Sequence, residues 1–188
     1  MIILLDCDDV LAQFTQGVID VLNAKGGYDF DINDCTDWDM AHSLGISNNS
    51  VFGIASEEDF CTNLNMMPGA QEAVEKLKAY GPLYVVTSPI HTSKTWQFER
   101  TRWLWEHFEI RASNVIHASA KRLIRGDFFV DDRADHVEAW QEENEDGWAF
   151  VLDVPWPRQQ EVQDIHRCRN WDELLMHANE CWEREGKR

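Results

Sequence analysis

The stretch Ile2-Ile3-Leu4-Leu5-Asp6-Cys7-Asp8-Asp9-Val10-Leu11 decides the fold. Four consecutive apolar residues run straight into a cluster of carboxylates. A short unbroken apolar run of this kind is expected of a strand buried on both faces, as in a parallel sheet covered by helices. Side chains alternate along a strand, so Asp6 and Asp8 project to one side and Cys7 to the other. Open α/β sheets place ligands at the C-terminal ends of their strands. Two carboxylates held together there repel each other unless a cation lies between them, and an oxygen-rich site of this sort suits Mg²⁺. Helix capping is the competing explanation, since a helix is expected to begin near Val10. Capping accounts for Asp8 or Asp9 but leaves Asp6 without a purpose.

Outward from this stretch, Leu11, Phe14, Val18, Val21 and Leu22 recur at helical spacing, and Gly26-Gly27 ends the pattern. Residues 28–67 change character: acidic and polar, with apolar residues only in small clusters. About forty residues exceed an ordinary connection, so a small helical cap inserted after the first helix is expected there, acting as a lid. Pro68-Gly69 opens a cleaner helix with Ala70, Ala73, Val74, Leu77 and Tyr80 on one face. Leu83–Val86 is the next strand, ending in Thr87-Ser88-Pro89, and an aromatic helix follows from about Ser93 to Phe108. Further strands are expected at Val115–His117, at Phe128–Val130 running into Asp131-Asp132, and at Trp148–Leu152. Val137 and Trp140 mark a helix between the last two. Pro155-Trp156-Pro157 marks a loop, and Asn170 with Glu173 resembles the capping box of a final helix. Strands alternating with helices imply an α/β fold, a Rossmann-like parallel sheet with helices on both faces. The expected division is a core of residues 1–27 and 68–188 and an insertion of residues 28–67.

Composition narrows the function. A net charge of −17 over 188 residues argues against nucleic acid bound through a broad basic surface. It also repels anionic substrates at long range, so a phosphate must be gripped by local cations and a metal. Five scattered cysteines without C-x-x-C spacing suggest reduced thiols in a cytoplasmic protein. The apolar start is too short for a signal sequence or a membrane span. The seven histidines show no metal-ligand spacing, and the acidic run from Glu142 to Asp146 is a solvated helix end.

Four pieces therefore end strands or follow them along one sheet edge: Asp6-Cys7-Asp8, Thr87-Ser88, Lys121 and Asp131-Asp132. Each meets a need of phosphoryl transfer, in which a carboxylate can attack phosphorus while a metal and nearby donors hold the oxygens. In this order and spacing the set resembles the four-motif signature of the haloacid dehalogenase-like phosphatases, and within them the 5′(3′)-deoxyribonucleotidases. The resembling segments are Leu5–Ala12, Met67–Ala70, Thr87–Ile90 and Phe129–Arg133. The resemblance is good over residues 1–20 and 60–140, poor over 28–59 and only general beyond 140.

The resemblance implies a Mg²⁺-dependent phosphomonoesterase acting on nucleoside monophosphates, with another small-molecule phosphate ester as the alternative. Asp6 would be the nucleophile and a metal ligand. Asp8 would bind the metal through its carbonyl, while its side chain protonates the leaving oxygen. Asp131 and Asp132 would complete the metal shell. Thr87, Ser88, Lys121 and Arg100 would hold phosphate, and Phe14 would lie under the base. Trp38 and Phe60 are expected to cover the mouth of the site. Asp9 stands where many members carry Gly. Taken singly, Thr87-Ser88-Pro89 is an ordinary turn, Lys121 a solvated loop lysine, and Arg133 a structural ion-pair partner. A phospho-acceptor receiver is disfavoured by the insertion and by the acid at residue 6. A metal-dependent nuclease is disfavoured by the charge.

Overall fold

The computed structural model of the chain describes residues 1–156, 158, 160 and 167–185. Its strands are β1 (Ile3–Leu5), β2 (Leu83–Thr87), β3 (Val115–His117), β4 (Phe128–Asp131), β5 (Trp148–Leu152) and β6 (Arg167–Cys168). They form one parallel sheet in the order β3-β2-β1-β4-β5-β6. The helices are α1 (Phe14–Lys25), α2 (Met40–Ser43), α3 (Asn48–Ala55), α4 (Ala70–Lys78), α5 (Trp96–Phe108), α6 (Ala134–Glu143) and α7 (Trp171–Glu185).

The apolar run at the start of the chain takes the middle of the sheet because both its faces are buried. Ile3 pairs with Leu83 on one side and Phe128 on the other. Alternation then sorts the core. Ile3, Leu5, Val85, Val130 and Phe150 pack with Val18, Val74, Leu77, Trp103 and Leu174 from α1, α4, α5 and α7. Leu4, Val86, Phe129 and Val151 face the other way, against Val137 and Trp140 of α6. Trp140 stacks on Phe129 with ring centres 5.2 Å apart, and its indole N–H donates to the Ile124 carbonyl at 2.9 Å. Helices therefore cover both faces, as the mixed strand and helix patterns require.

The first helix begins at Phe14 rather than near Val10. The amides of Val10, Leu11 and Ala12 all donate to the Cys7 carbonyl, at 3.3, 2.8 and 2.9 Å, and wind the chain into a turn first. Asp9 sits in that turn with φ +56°, a left-handed conformation that costs a residue other than glycine roughly 1–2 kcal/mol. The residue before the helix, Gln13, makes no side-chain cap. Asp9 supplies one from further off, accepting the Thr15 amide at 3.0 Å. Capping thus explains Asp9 and leaves Asp6 and Asp8 for another task.

Residues 28–67 hold α2, α3 and 3-10 turns at Ile32–Asp34 and Cys61–Asn63. Their polar residues are largely helix caps: Asp31 and Asp34 form a capping box, Asp39 accepts the His42 amide and Ser47 the Ser50 amide. The end of this segment is tied back to the turn after β1, with the Met67 amide donating to the Leu11 carbonyl at 2.7 Å. Gly69 then starts α4 at φ +79°, where an added Cβ would also come within 3.2 Å of the Trp171 ring. Asn170 caps α7 by accepting the Glu173 amide at 2.9 Å. The two-residue strand β6 escapes pattern reading because it is too short to alternate. Of the loop expected at Pro155–Pro157, Pro157 lies outside the described residues.

Candidate active site

The Asp6 amide donates to the Val130 carbonyl at 2.8 Å, which brings Asp6 level with Asp131 at the ends of β1 and β4. Lys121, in a 3-10 turn before β4, lies between them. Its Nζ is 2.6 Å from Asp6 Oδ1 and 2.8 Å from Asp131 Oδ2, with all three side chains buried. Burial pushes the Asp6 carboxyl up to about 7; Lys121 opposes this, and Asp131 and Asp8 add to it. Burial works against Asp131 too, but Lys121 and His136 hold it well below the ordinary carboxylate range. His136 Nδ1 approaches both Asp131 oxygens, at 3.1 and 3.2 Å, so this nitrogen carries the proton.

Two more cations serve the neighbouring acids. Arg100, wholly buried on α5, is ion-paired to Asp8 and donates to Cys7 Sγ at 3.1 Å. Burial raises the Asp8 carboxyl above its ordinary value, with Arg100 as the main opposing influence. Arg158, from the connection after β5, is ion-paired to Asp132 and donates to Asp9 Oδ2 at 2.9 Å. Asp9 Oδ2 also accepts the Thr15 hydroxyl at 2.5 Å. Burial raises Asp132 well above the ordinary range, against Arg158.

A cavity of about 450 Å³ opens over these groups. Asp6, Asp8, Ser88, Lys121, Asp132 and Arg158 line it from the core, Phe14 from α1, and Trp38, Met40, Ala41, Val51 and Phe52 from the 28–67 segment. Asp39 and Asn48 are the polar residues that this segment contributes. The Arg133 guanidinium lies 3.4 Å from the centre of the Trp38 ring, so the segment meets the core beside Asp132.

Of the expected site residues, Asp6, Asp8, Ser88, Lys121, Asp132, Phe14 and Trp38 line the cavity, and Asp131 lies buried beneath it. Three lie elsewhere. Phe60 is buried under the site, in edge contact with Phe14 and stacked on Trp96, so it supports Phe14 and does not cover the mouth. Arg100 is not in the lining; its fork is occupied by Asp8 and Cys7 beneath the floor. Thr87 is fully buried, and its hydroxyl has no hydrogen-bond partner. Sequence reasoning missed His136, Thr15 and Arg158. Only tertiary contact reveals Arg158, whereas His136 could have been noticed five residues after Asp131.

Asp6, Asp131 and Asp132 each offer a carboxylate oxygen within 4.8 Å of the others, and all three are buried. Five carboxylates (Asp6, Asp8, Asp9, Asp131, Asp132) face three fixed cations (Lys121, Arg100, Arg158). Hard oxygen donors without a thiolate among them fit Mg²⁺.

The architecture has solved counterparts. A haloacid dehalogenase-family hydrolase from Deinococcus radiodurans R1, solved with bound phosphate and sodium, matches with a TM-score of 0.59 at 14% identity, covering 95% of each chain. A haloacid dehalogenase-like hydrolase from Xanthomonas campestris matches with a TM-score of 0.55 at 12% identity, over 100% of this chain and 98% of that one. The fold is that of the haloacid dehalogenase-like hydrolases. The chain belongs to the family described as 5′ nucleotidase, deoxy (pyrimidine), cytosolic type C protein, whose model matches residues 1–180. The 5′(3′)-deoxyribonucleotidase of Bacillus subtilis strain 168 is 26% identical over 174 residues, 92% of this chain and 95% of the relative. The protein is accordingly a phosphoric monoester hydrolase. Among the described residues, no helix is long and apolar enough to cross a membrane.

Proposed function

We propose that the protein removes phosphate from deoxynucleoside and nucleoside monophosphates through an aspartyl-phosphate, an acyl phosphate on Asp6. The observation that carries this is the position of Asp6: it lines the cavity, belongs to the carboxylate cluster and has Lys121 Nζ at 2.6 Å. Asp6, Asp131, Asp132 and the Asp8 carbonyl would hold Mg²⁺, which when bound neutralises phosphate oxygens.

A carboxylate oxygen of Asp6 attacks phosphorus, and the P–O bond to the nucleoside breaks. The departing oxygen takes the proton of the Asp8 carboxyl, whose side chain lines the cavity. Asp8, now a carboxylate, takes a proton from water as the water oxygen attacks phosphorus. The P–O bond to Asp6 then breaks, inorganic phosphate leaves, and both acids return to their starting states. Lys121 stays charged throughout, because Asp131 and Asp6 raise its pKa against the effect of burial. Lys121 and Ser88 hold the phosphate oxygens, with the unpartnered Thr87 hydroxyl buried next to Ser88.

The cavity walls favour a base over a polyol. Phe14, Trp38, Val51 and Phe52 offer flat or apolar surface to a nucleobase, and a sugar phosphate has little apolar surface to bury against them. Residues 28–67 act as the cap that limits water around the reacting phosphorus. The test is phosphate release with Mg²⁺ from p-nitrophenyl phosphate, a deoxynucleotide panel and sugar phosphates. Deoxynucleotides should be cleaved fastest, and Asp6→Asn should be inactive. Full activity in Asp6→Asn would remove the nucleophile, and a preference for sugar phosphates would remove the nucleotide assignment.

A further inference from the structure

The most deeply placed cation near the site touches no part of the cavity. Arg100 is wholly buried, its guanidinium carbon 4.7 Å from the centre of the Trp96 ring and 5.7 Å from that of Trp103. A buried cation is costly unless it is paired. Nη2 is paired with Asp8 Oδ1, Nη1 reaches Cys7 Sγ at 3.1 Å, and Nε has no partner. The Asp8 side chain is about a quarter exposed (24%), so it joins a fixed cation below to the cavity above. A rigid planar fork that engages two neighbours at once fixes orientation as well as charge, which a lysine ammonium does not.

We propose that Arg100 is a positioning residue for proton transfer: it holds Asp8 Oδ1 so that Oδ2 is aimed at the leaving oxygen, and thereby determines which esters the protein can cleave. This rests on the reading of Asp8 given under the proposed function. Proton donation matters in proportion to the basicity of the departing oxygen. A nucleoside 5′-oxygen leaves as a strongly basic alkoxide unless it gains a proton as the P–O bond breaks. The p-nitrophenolate ion departs without one. Misplacing Asp8 therefore penalises the nucleotide and spares the aryl ester. A phosphate-binding arginine or a purely structural one would affect both esters alike.

The experiment compares kcat/KM for a deoxynucleoside 5′-monophosphate and for p-nitrophenyl phosphate in Arg100→Lys and Arg100→Met. This constant covers the steps up to departure of the alcohol. General acid catalysis contributes typically 10²–10⁴-fold, so Arg100→Met should lose about a hundredfold on the nucleotide and less than about threefold on the aryl ester. Arg100→Lys, which keeps the charge and loses the fork, should lose about tenfold on the nucleotide alone; it decides the matter if Arg100→Met does not fold. In an Asp8→Asn background, Arg100→Lys should cost nothing further. Equal losses on both esters, or an unchanged ratio in Arg100→Lys, would overturn the proposal. Wild-type protein inactive on both esters would instead remove the phosphatase mechanism beneath it.

Discussion

Arg158 Nη2 donates to Asp9 Oδ2 over 2.9 Å, across 149 residues of sequence. The same guanidinium is paired with Asp132, and all three side chains are more than nine-tenths buried. Removing one partner of a buried pair leaves an uncompensated charge, at a cost of about 3–5 kcal/mol. Arg158→Met is expected to lower unfolding stability in urea by that amount. Asp9→Gly in the same protein should restore part of it, because it removes one stranded carboxylate and suits the left-handed backbone at φ +56°. A change below about 0.5 kcal/mol in Arg158→Met, the range of ordinary surface substitutions, would show that the pair is not holding the connection after β5.

The pH dependence of stability has a definite sign at Asp6. Its folded-state value is raised from 3.8 to about 7, so between these values the folded protein binds a proton that the unfolded chain has released. Stability contributed by Asp6 is full below the lower value and is lost as pH rises through the upper one. The melting temperature of metal-free protein should therefore fall on this account between about pH 4 and 7. Because Mg²⁺ binds the ionised carboxylate, the melting temperature gained at millimolar Mg²⁺ should grow over the same interval. Asp6→Asn should make the metal-free slope shallower, with the remainder carried by Asp132, which burial also raises. A Mg²⁺ increment that shrinks as pH rises would contradict the carboxylate site.

Thr87 separates folding from function. Its buried hydroxyl has no partner, and an unsatisfied buried group costs about 1–3 kcal/mol. Thr87→Val replaces it with an isosteric methyl, so thermal stability should be unchanged or higher. If the hydroxyl meets a phosphate oxygen, kcat/KM should nonetheless fall about tenfold to a hundredfold, while Thr87→Ser stays near wild type. Wild-type kinetics in Thr87→Val would dismiss the contact.

Trp38 is half exposed, yet it lines the cavity and lies against Arg133. Trp38→Ala should raise KM for a deoxynucleotide about tenfold and leave KM for p-nitrophenyl phosphate nearly unchanged, since only the former carries a base to pack against it. Equal effects on both substrates would point to a general disturbance of the 28–67 segment.

The features legible in advance were those with local causes. Ile3–Leu5 had to be a central strand because nothing polar interrupts it, and Asp6, Lys121 and Asp131 meet because parallel strands end along one edge. The turn at Asp9 was not legible, because three amides sharing the Cys7 carbonyl leave no periodic trace. Arg100 has the residue type and helix position of a phosphate ligand. Only packing shows that its fork is already filled by Asp8 and Cys7. Arg158 lies beyond every recognisable motif, and its partners are 149 and 26 residues away.

The placement of β1 between β2 and β4 has a consequence for biosynthesis. β1 is made before both of its partners, and is hydrogen-bonded on one side to residues near 84 and on the other to residues near 129. Until Phe128–Asp131 has been made, that greasy ribbon has at least one naked edge. Fragments released before Phe128 should therefore clump and need chaperone protection, and they would lack Asp131, a member of the ion-binding cluster.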